Sequence, residues 1–158
     1  MSRIAVFPGS FSPFTLGHKA VVDNALSIFD KVIIAAGINS EKKEYFSIEE
    51  RLDWINAVYA NNPKIVVKCY EGLTVDFCKK EGAKYILRGL RDSHDFKYEK
   101  NIAQMNKELN EEIETIFIIT PVKLSHISST ILRDIIKSGG DISDFLPKEI
   151  RPLLKVNL

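Results

Sequence analysis

The sequence predicts an α/β fold in which one parallel sheet of five strands carries helices on both faces, a doubly wound arrangement. Short apolar runs alternate along the chain with segments of helical periodicity, which is typical of parallel sheets with crossover helices. The length of 158 residues and the apolar fraction of 45% suit a single hydrophobic core. No internal repeat, low-complexity tract or linker divides the chain. We therefore expect one domain over residues 1–158.

Five apolar runs have the length and composition of buried parallel strands. They are predicted at Arg3 to Phe7, Lys31 to Gly37, Lys64 to Tyr70, Lys84 to Arg88 and Thr115 to Ile119. Because crossovers between parallel strands are right-handed, these strands give an open, Rossmann-like sheet.

The segments between the strands show helical spacing and helix end signals. Ser47 and Glu50 form a capping box, and Thr74 is expected to cap a short helix that stops at Gly82. The predicted helices cover 18–29, 47–60, 74–82, 92–109 and 128–138, with a terminal helix that starts at Leu146-Pro147.

The charge balance argues against a nucleic-acid partner. The formal net charge is +1, so the chain lacks the basic excess that neutralises a phosphate backbone.

Neither a charged leader nor a long apolar span is present, which predicts no membrane attachment. The two cysteines, Cys69 and Cys78, lack metal-ligand spacing and are expected to pack in the interior. A reducing, cytoplasmic location fits this composition best.

The first predicted strand is followed by a turn rich in Gly and Pro, Pro8-Gly9-Ser10-Phe11-Ser12-Pro13-Phe14. A helix then starts at Thr15-Leu16-Gly17-His18. The first backbone N–H groups of a helix are unpaired, so such a strand, turn and helix form an anion site. The segment predicts a place for nucleotide phosphates, with His18 as a proton donor at its mouth.

In doubly wound sheets the ligand crevice lies beyond the carboxyl ends of the strands. Five segments that follow strands contain groups suited to phosphates, and we expect them at one edge of the sheet. They are 10–18, 39–43, 72–74, 88–91 and 124–130.

The same segments match motifs of a known family. The chain carries P-G-S-F-S-P-F-T-L-G-H at 8–18, K-K at 42–43, R-G-L-R at 88–91, D-F-x-Y-E at 95–99 and S-x-I-S-S-T at 125–130. In these motifs it resembles the bacterial phosphopantetheine adenylyltransferases, within the nucleotidylyltransferase superfamily that carries T-x-G-H or H-x-G-H. The motifs occur in the family's order and span nearly the whole chain.

The resemblance implies adenylyl transfer from ATP to 4′-phosphopantetheine, giving dephospho-coenzyme A and pyrophosphate by direct in-line attack. The attacking phosphate monoester has a second pKa of about 6, so it needs no general base at neutral pH. By resemblance, His18, Lys42 and Arg91 are catalytic, with His18 donating to the α-phosphate in the transition state. The implied phosphopantetheine contacts are Ser10, Lys42, Thr74 and Arg88.

The resemblance also implies the ATP contacts and partners. The ATP contacts are Ser10, Phe11, His18, Gly89, Leu90, Arg91, Glu99, Leu124, Ser125, His126, Ile127, Ser128, Ser129 and Thr130. Mg²⁺ is implied as the ATP counterion, held by phosphates and water with no protein metal site. A homohexamer and feedback inhibition by coenzyme A are further implications of the family.

The chain departs from the family's motif at one position, and two alternative functions stay open. The family often has Asp where this chain has Ser12, so we expect altered kinetics but retained activity. The acceptor could be another phosphorylated compound, such as nicotinamide mononucleotide. The chain could also be a non-catalytic ATP-binding sensor on a similar scaffold.

Overall fold

The computed structural model describes residues 1–155 and confirms the predicted fold class. The strands are β1 (Ile4–Gly9), β2 (Lys31–Gly37), β3 (Ile65–Tyr70), β4 (Tyr85–Leu90) and β5 (Glu114–Ile119). All neighbouring strands are parallel, in the order β3-β2-β1-β4-β5. The helices are α1 (Leu16–Ala25), α2 (Ile48–Val58), α3 (Thr74–Glu81), α4 (Ser93–Leu109) and α5 (Ser129–Lys137).

Helices cover both faces of the sheet because the central strands are apolar on both faces. On β2, Val32, Ile34 and Ala36 join one core cluster, while Ile33 and Ala35 join the other. The first cluster includes buried side chains of α1, α2 and α5. The second includes those of α3, and α4 packs beside it on β4 and β5. Because helices cover both faces of the sheet, we look for the ligand crevice at the carboxyl ends of the strands.

The helix starts follow local capping chemistry, with one exception. Ser47 and Glu50 form the predicted capping box, and the Asp92 carboxylate accepts from the Asp95 N–H at 2.9 Å. The prediction that Thr74 caps α3 is wrong: Leu73 holds the cap position without a side-chain hydrogen bond. The Thr74 hydroxyl instead pairs with the Tyr70 hydroxyl at 2.9 Å.

Three other local expectations are wrong. Helix α1 ends at Ala25, four residues early, because the N–H and hydroxyl of Ser27 both donate to Asn24 and close the last turn. The predicted terminal helix is a 3₁₀ turn over Arg151–Leu153, where Pro152 has no N–H for an α-helical bond. Cys78 is buried as expected, whereas Cys69 is exposed on β3.

The strand order reverses at β1, which places the ligand crevice between β1 and β4. Their ladder pairs Ala5 with Tyr85 and Val6 with Ile86, and no later residues of the two strands are paired. Beyond this point the strands separate. The backbone of Pro8 to Ser10 and the side chain of Arg88 therefore meet at a gap in the sheet.

Candidate active site

Side chains from three other elements, β4, α2 and α5, bind backbone carbonyls at the end of β1 and in the turn that follows it. Three arginines donate to alternate carbonyls, each at 2.7 Å: Arg88 to Pro8, Arg51 to Ser10 and Arg133 to Ser12. The Ser129 hydroxyl donates to the next carbonyl, that of Pro13, at 2.8 Å. The negative ends of these peptide groups are therefore bound by protein donors.

Phe11 occupies an unusual backbone conformation in this turn. Its φ is +50°, in the left-handed region that non-glycine residues seldom adopt. The ring is buried and lies 5.2 Å from Phe7 and 5.5 Å from Phe14, between ring centroids. A Cβ at Gly9 would come within 2.8 Å of the Phe11 ring. Glycine at position 9 thus permits the packing that holds Phe11 in place.

His18 is fixed by a capping box at the start of α1. The Thr15 N–H donates to His18 Nδ1 at 3.0 Å, and the Thr15 hydroxyl accepts from the His18 N–H at 3.3 Å. A neutral imidazole that accepts at one nitrogen carries its hydrogen on the other. The hydrogen bond therefore assigns the hydrogen of neutral His18 to Nε2.

The surroundings of His18 favour its neutral form. Its ring stacks on Phe14 at 5.4 Å and meets the edge of Phe11 at 5.1 Å. Burial lowers the pKa of His18 from 6.5 to about 3, and the charges of Arg88 and Arg91 act in the same direction. The residue as a whole keeps some accessible surface, so we assign the desolvation of the imidazole to the aromatic rings packed against it. In the free protein His18 is a neutral hydrogen-bond donor.

Arg88 and Glu99 form an ion pair across the crevice. Arg88 Nε and Nη2 donate to the two carboxylate oxygens of Glu99 at 2.8 and 2.7 Å. Glu99 is buried, and the Arg88 side chain is 30% exposed. The family resemblance implied Arg88 as an acceptor contact and Glu99 as an ATP contact, but nothing in the sequence indicated that they bind each other.

Arg91 is held in a similar way at the end of β4. Its Nε donates to Asp95 Oδ2 at 3.1 Å, and its Nη1 donates to the Ile127 carbonyl at 3.4 Å. Burial alone would raise the pKa of Asp95, but hydrogen bonds from Arg91 and its charge lower it overall. Asp95 thus stays a carboxylate that orients Arg91.

Two cavities of about 420 Å³ each lie on either side of the Arg88–Glu99 pair. We call them the His18 pocket and the Thr74 pocket. The His18 pocket is lined by α1, the end of β4 and the start of α5. The Thr74 pocket is lined by the ends of β1 and β2 and by α4. The shared wall consists of Pro8, Gly9, Ser10, Arg88 and Glu99.

Comparison with known proteins identifies the family. The model of the Cytidylyltransferase-like family matches residues 6–135. A phosphopantetheine adenylyltransferase of Flavobacterium psychrophilum is 50% identical over 149 residues, covering 94% of this chain and 98% of that protein. One from Cytophaga hutchinsonii is 48% identical over 150 residues, covering 95% and 100%. The chain belongs to the phosphopantetheine adenylyltransferase family.

A solved structure supports the fold separately. A bifunctional NMN adenylyltransferase/ADP ribose pyrophosphatase from Francisella tularensis superposes with a TM-score of 0.72 at 20% identity. The match covers 92% of this chain and 45% of that one. At this identity the likeness shows a shared fold, and the phosphopantetheine adenylyltransferase family membership is shown by the closer sequence relatives.

Most of the residues that the family resemblance implied line one of the two pockets. Those lining the His18 pocket are Ser10, Phe11, His18, Arg88, Gly89, Arg91, Glu99, Ile127, Ser128, Ser129 and Thr130. Ser10, Thr74, Arg88 and Glu99 line the Thr74 pocket. Gly89 is needed for this arrangement, because a Cβ there would lie 2.8 Å from Val21 Cγ2.

Five implied residues line neither pocket: Lys42, Leu90, Leu124, Ser125 and His126. Lys42 is exposed on the segment after β2, where its N–H donates to the Asn39 carbonyl at 3.3 Å. The Ser125 hydroxyl donates to the Val122 carbonyl at 2.8 Å. The structure does not bring these side chains to the cavities.

Sequence reasoning missed several lining residues. Thr120 and Arg133 line the His18 pocket, and Tyr70, Ile102 and Asn106 line the Thr74 pocket. Arg133 lies three residues after Thr130, one helical turn on, so spacing from the serine-rich motif could have found it. No motif in the sequence indicated Arg51, a charged residue within the apolar spacing of the predicted helix 47–60.

Acidic groups at the site are already paired. Asp95 and Glu99 are the acidic residues that line the His18 pocket, and each binds an arginine. Within residues 1–155, no group of three His, Cys, Asp or Glu side chains is placed to hold a metal ion.

Proposed function

We propose that the chain transfers the adenylyl group of ATP to 4′-phosphopantetheine, giving dephospho-coenzyme A and pyrophosphate. The observation that carries this assignment is the pair of cavities joined at a shared wall that contains Arg88. ATP occupies the His18 pocket and the acceptor occupies the Thr74 pocket. Their phosphates then meet at Arg88, as a direct transfer requires. Residues 1–158 act as one domain in this account.

The reaction is one in-line displacement. A phosphate oxygen of the acceptor attacks the α-phosphorus of ATP, the new phosphoanhydride bond forms, and the bond to the β-phosphate breaks with release of pyrophosphate. The attacking dianion needs no general base. The protein therefore acts by positioning two anions and stabilising the charge that grows on the α-phosphoryl oxygens.

His18 and the two arginines supply that stabilisation. His18 Nε2–H is a donor fixed by the hydrogen bond from Thr15 to Nδ1. Arg91 binds the ATP phosphates, and Arg88 binds the acceptor phosphate at the shared wall. Lys42 approaches the incoming phosphate from the exposed segment after β2. Mg²⁺ accompanies ATP and neutralises part of the triphosphate charge.

The partners follow from the same account. Coenzyme A differs from the product only by a further phosphate, so we infer that it competes for both pockets as a feedback inhibitor. We also infer a homohexamer, which the family resemblance implies. Large apolar side chains that a subunit contact would cover are exposed on α4, at the end of β5 and just after it, among them Tyr98, Met105, Leu109, Ile119 and Val122. A hexamer would have about six times the 17.9 kDa chain mass in light scattering.

We infer a cytoplasmic location, where ATP is abundant, and no nucleic-acid partner. Of the helices in residues 1–155, none is both long and apolar enough to cross a membrane. The near-neutral net charge of +1 supports a small-molecule substrate over a nucleic acid.

The test is a product assay with two acceptors in parallel. Purified protein is mixed with ATP, Mg²⁺ and either 4′-phosphopantetheine or nicotinamide mononucleotide, and pyrophosphate and the adenylylated product are measured. Equal amounts of pyrophosphate and dephospho-coenzyme A are expected from phosphopantetheine alone. Turnover with nicotinamide mononucleotide alone would reassign the acceptor. ATP binding without turnover on either acceptor would favour a sensor.

A further inference from the structure

Arg51 is a buried cation behind the shared wall of the two pockets, on the first turn of α2. Its side chain is 1% exposed and pairs with the Glu44 carboxylate. Its Nη1 donates to the Ser10 carbonyl at 2.7 Å and to the Gly37 carbonyl at 3.1 Å, and its Nε donates to the Ser47 carbonyl at 3.3 Å. Burying a guanidinium is costly unless its hydrogen bonds are satisfied. The Arg51 guanidinium therefore makes specific contacts with the backbone and with Glu44.

The two carbonyls lie where the β1–β2 ladder stops. Gly9 and Ala36 form its last pair. Ser10 and Gly37 are the next residues along the chain after this pair, and one nitrogen of Arg51 binds both of their carbonyls. Arg51 therefore joins the strand ends one step beyond the ladder, at the edge where the crevice opens.

Three of the four residues that accept hydrogen bonds from Arg51 line the pockets, although Arg51 itself lines neither. Ser10, Gly37 and Glu44 all line the Thr74 pocket, and Ser10 also lines the His18 pocket. A single guanidinium thus sets the relative position of the turn after β1 and the segment after β2. Because Glu44 lies two residues after Lys42, the ion pair also anchors the segment that carries Lys42.

The bond to Ser10 has a consequence for Phe11. In a trans peptide the carbonyl and the following N–H point in opposite directions. Since the Ser10 carbonyl points to Arg51, the Phe11 N–H points away from Arg51. Within the part of the chain that the structure describes, this N–H has no hydrogen-bond acceptor. It is available to a phosphate oxygen in the His18 pocket, which Phe11 lines.

We propose that Arg51 is a positioning residue for adenylyl transfer, which holds the Ser10–Phe11 peptide group and the segment with Glu44 in the geometry that the reaction needs. The inference rests on the proposed function. Arg51 touches no substrate in this account; it acts through the backbone and through Glu44. The planar guanidinium reaches four acceptors at once, whereas an ammonium group has only three donors.

Two variants test this proposal. Arg51→Lys keeps the charge but loses the planar fork, and Glu44→Gln removes the ion pair while leaving both carbonyl bonds. We expect Arg51→Lys to lower kcat about 10–10²-fold, as small displacements of reacting groups do. Glu44→Gln should have a smaller effect. In the double variant the loss should be less than the product of the two single losses, because the ion pair is already broken.

The matched control is Ile55→Ala, one turn further along α2. Ile55 is fully buried and lines neither pocket, so this change lowers Tm without touching the strand ends. Measured well below Tm and per folded molecule, kcat of Ile55→Ala should equal that of the wild type. A kcat for Arg51→Lys within twofold of the wild type under those conditions would overturn the proposal.

If Arg51→Lys does not fold, Glu44→Gln decides: a lower kcat at unchanged Tm supports the proposal, and an unchanged kcat overturns it. A wild-type protein that does not adenylylate phosphopantetheine would instead overturn the proposed function. In that case calorimetric binding of ATP to the same variants is the test. Weaker ATP binding by Arg51→Lys, but not by Ile55→Ala, would support Arg51 positioning, and equal affinities would contradict it.

Discussion

Arg88 and Glu99 are joined by two parallel hydrogen bonds, at 2.8 and 2.7 Å, in the wall between the two pockets. A third bond, from Arg88 Nη1 to the Pro8 carbonyl at 2.7 Å, fixes the plane of the guanidinium. Its orientation is therefore set before a substrate binds. Such preorganisation is what makes a charged group effective at a transition state, because little reorganisation remains for the reaction step.

Arg88→Ala should raise KM for phosphopantetheine more than KM for ATP. In the proposed reaction the variant lacks the cation assigned to the acceptor phosphate, whereas Arg91 remains on the nucleotide side. Steady-state kinetics with each substrate varied in turn provides the measurement. An effect confined to ATP would overturn the assignment of Arg88 to the acceptor side.

Glu99→Gln should lower kcat/KM for the acceptor about 10–10²-fold, since the Arg88 guanidinium loses the charged half of its two-point partner. The matched control is Asp95→Asn, which weakens the corresponding partner of Arg91 and should act mainly on ATP. If both variants lowered kcat/KM mainly for the same substrate, Glu99 would not be acting through Arg88.

His18→Ala should lower kcat about 10²–10³-fold with little change in ATP affinity, the size expected for one lost transition-state donor. His18→Gln, whose amide places a donor near the position of Nε2, should recover part of that loss. Rapid-quench measurement of the chemical step, together with calorimetric ATP binding, separates the two effects. A wild-type rate in His18→Ala would remove His18 from the mechanism.

The lowered pKa of His18 predicts a pH dependence of stability. Between its unfolded value of 6.5 and its folded value of about 3, the unfolded chain binds a proton that the folded chain does not. The free energy of unfolding should therefore fall as pH decreases below 6.5, by up to about 1.4 kcal/mol per pH unit. Urea unfolding at pH 7.5, 6.5 and 5.5 measures it.

His18→Gln should remove the part of this pH dependence that comes from His18, because glutamine does not titrate. His126→Gln is the matched control, since His126 is exposed and lines neither pocket. Equal slopes in the wild type and His18→Gln would contradict the burial of a neutral imidazole.

Gly89→Ala should destabilise the fold by about 1–3 kcal/mol, the cost of forcing an extra methyl group into a packed core. Its Cβ would lie 2.8 Å from Val21 Cγ2, and Val21 is buried on α1. Val21→Ala should relieve the clash, so the double variant should lose less stability than the sum of the single losses. Thermal unfolding of the four proteins measures this coupling. Additive losses would mean that the two residues do not clash.

The sequence predicted the fold class and the strands well because the apolar runs of a sheet buried on both faces are strong local signals. Lys31–Gly37 matches its predicted bounds, and the other strands differ by one or two residues at an end. The end of α1 and the terminal 3₁₀ turn were not predictable from spacing. They depend on how Ser27 and Pro152 satisfy or lose individual backbone hydrogen bonds.

For the site, motifs indicated which residue types meet at the sheet edge but not how they bind one another. The Arg88–Glu99 pair joins two segments eleven residues apart, and Arg51 binds carbonyls of two other segments. Such partners become neighbours only after the strands align. The position of Lys42 outside both pockets likewise depends on the course of an irregular segment, which periodicity does not describe.

The most direct test of this account follows the configuration at the α-phosphorus during turnover with phosphopantetheine. ATP made chiral at that atom with sulfur and an oxygen isotope is converted to product, and the product configuration is determined. Direct attack from the Thr74 pocket on a nucleotide in the His18 pocket predicts inversion. Retention would indicate two displacements through a covalent adenylyl-protein intermediate and would contradict transfer across the shared wall.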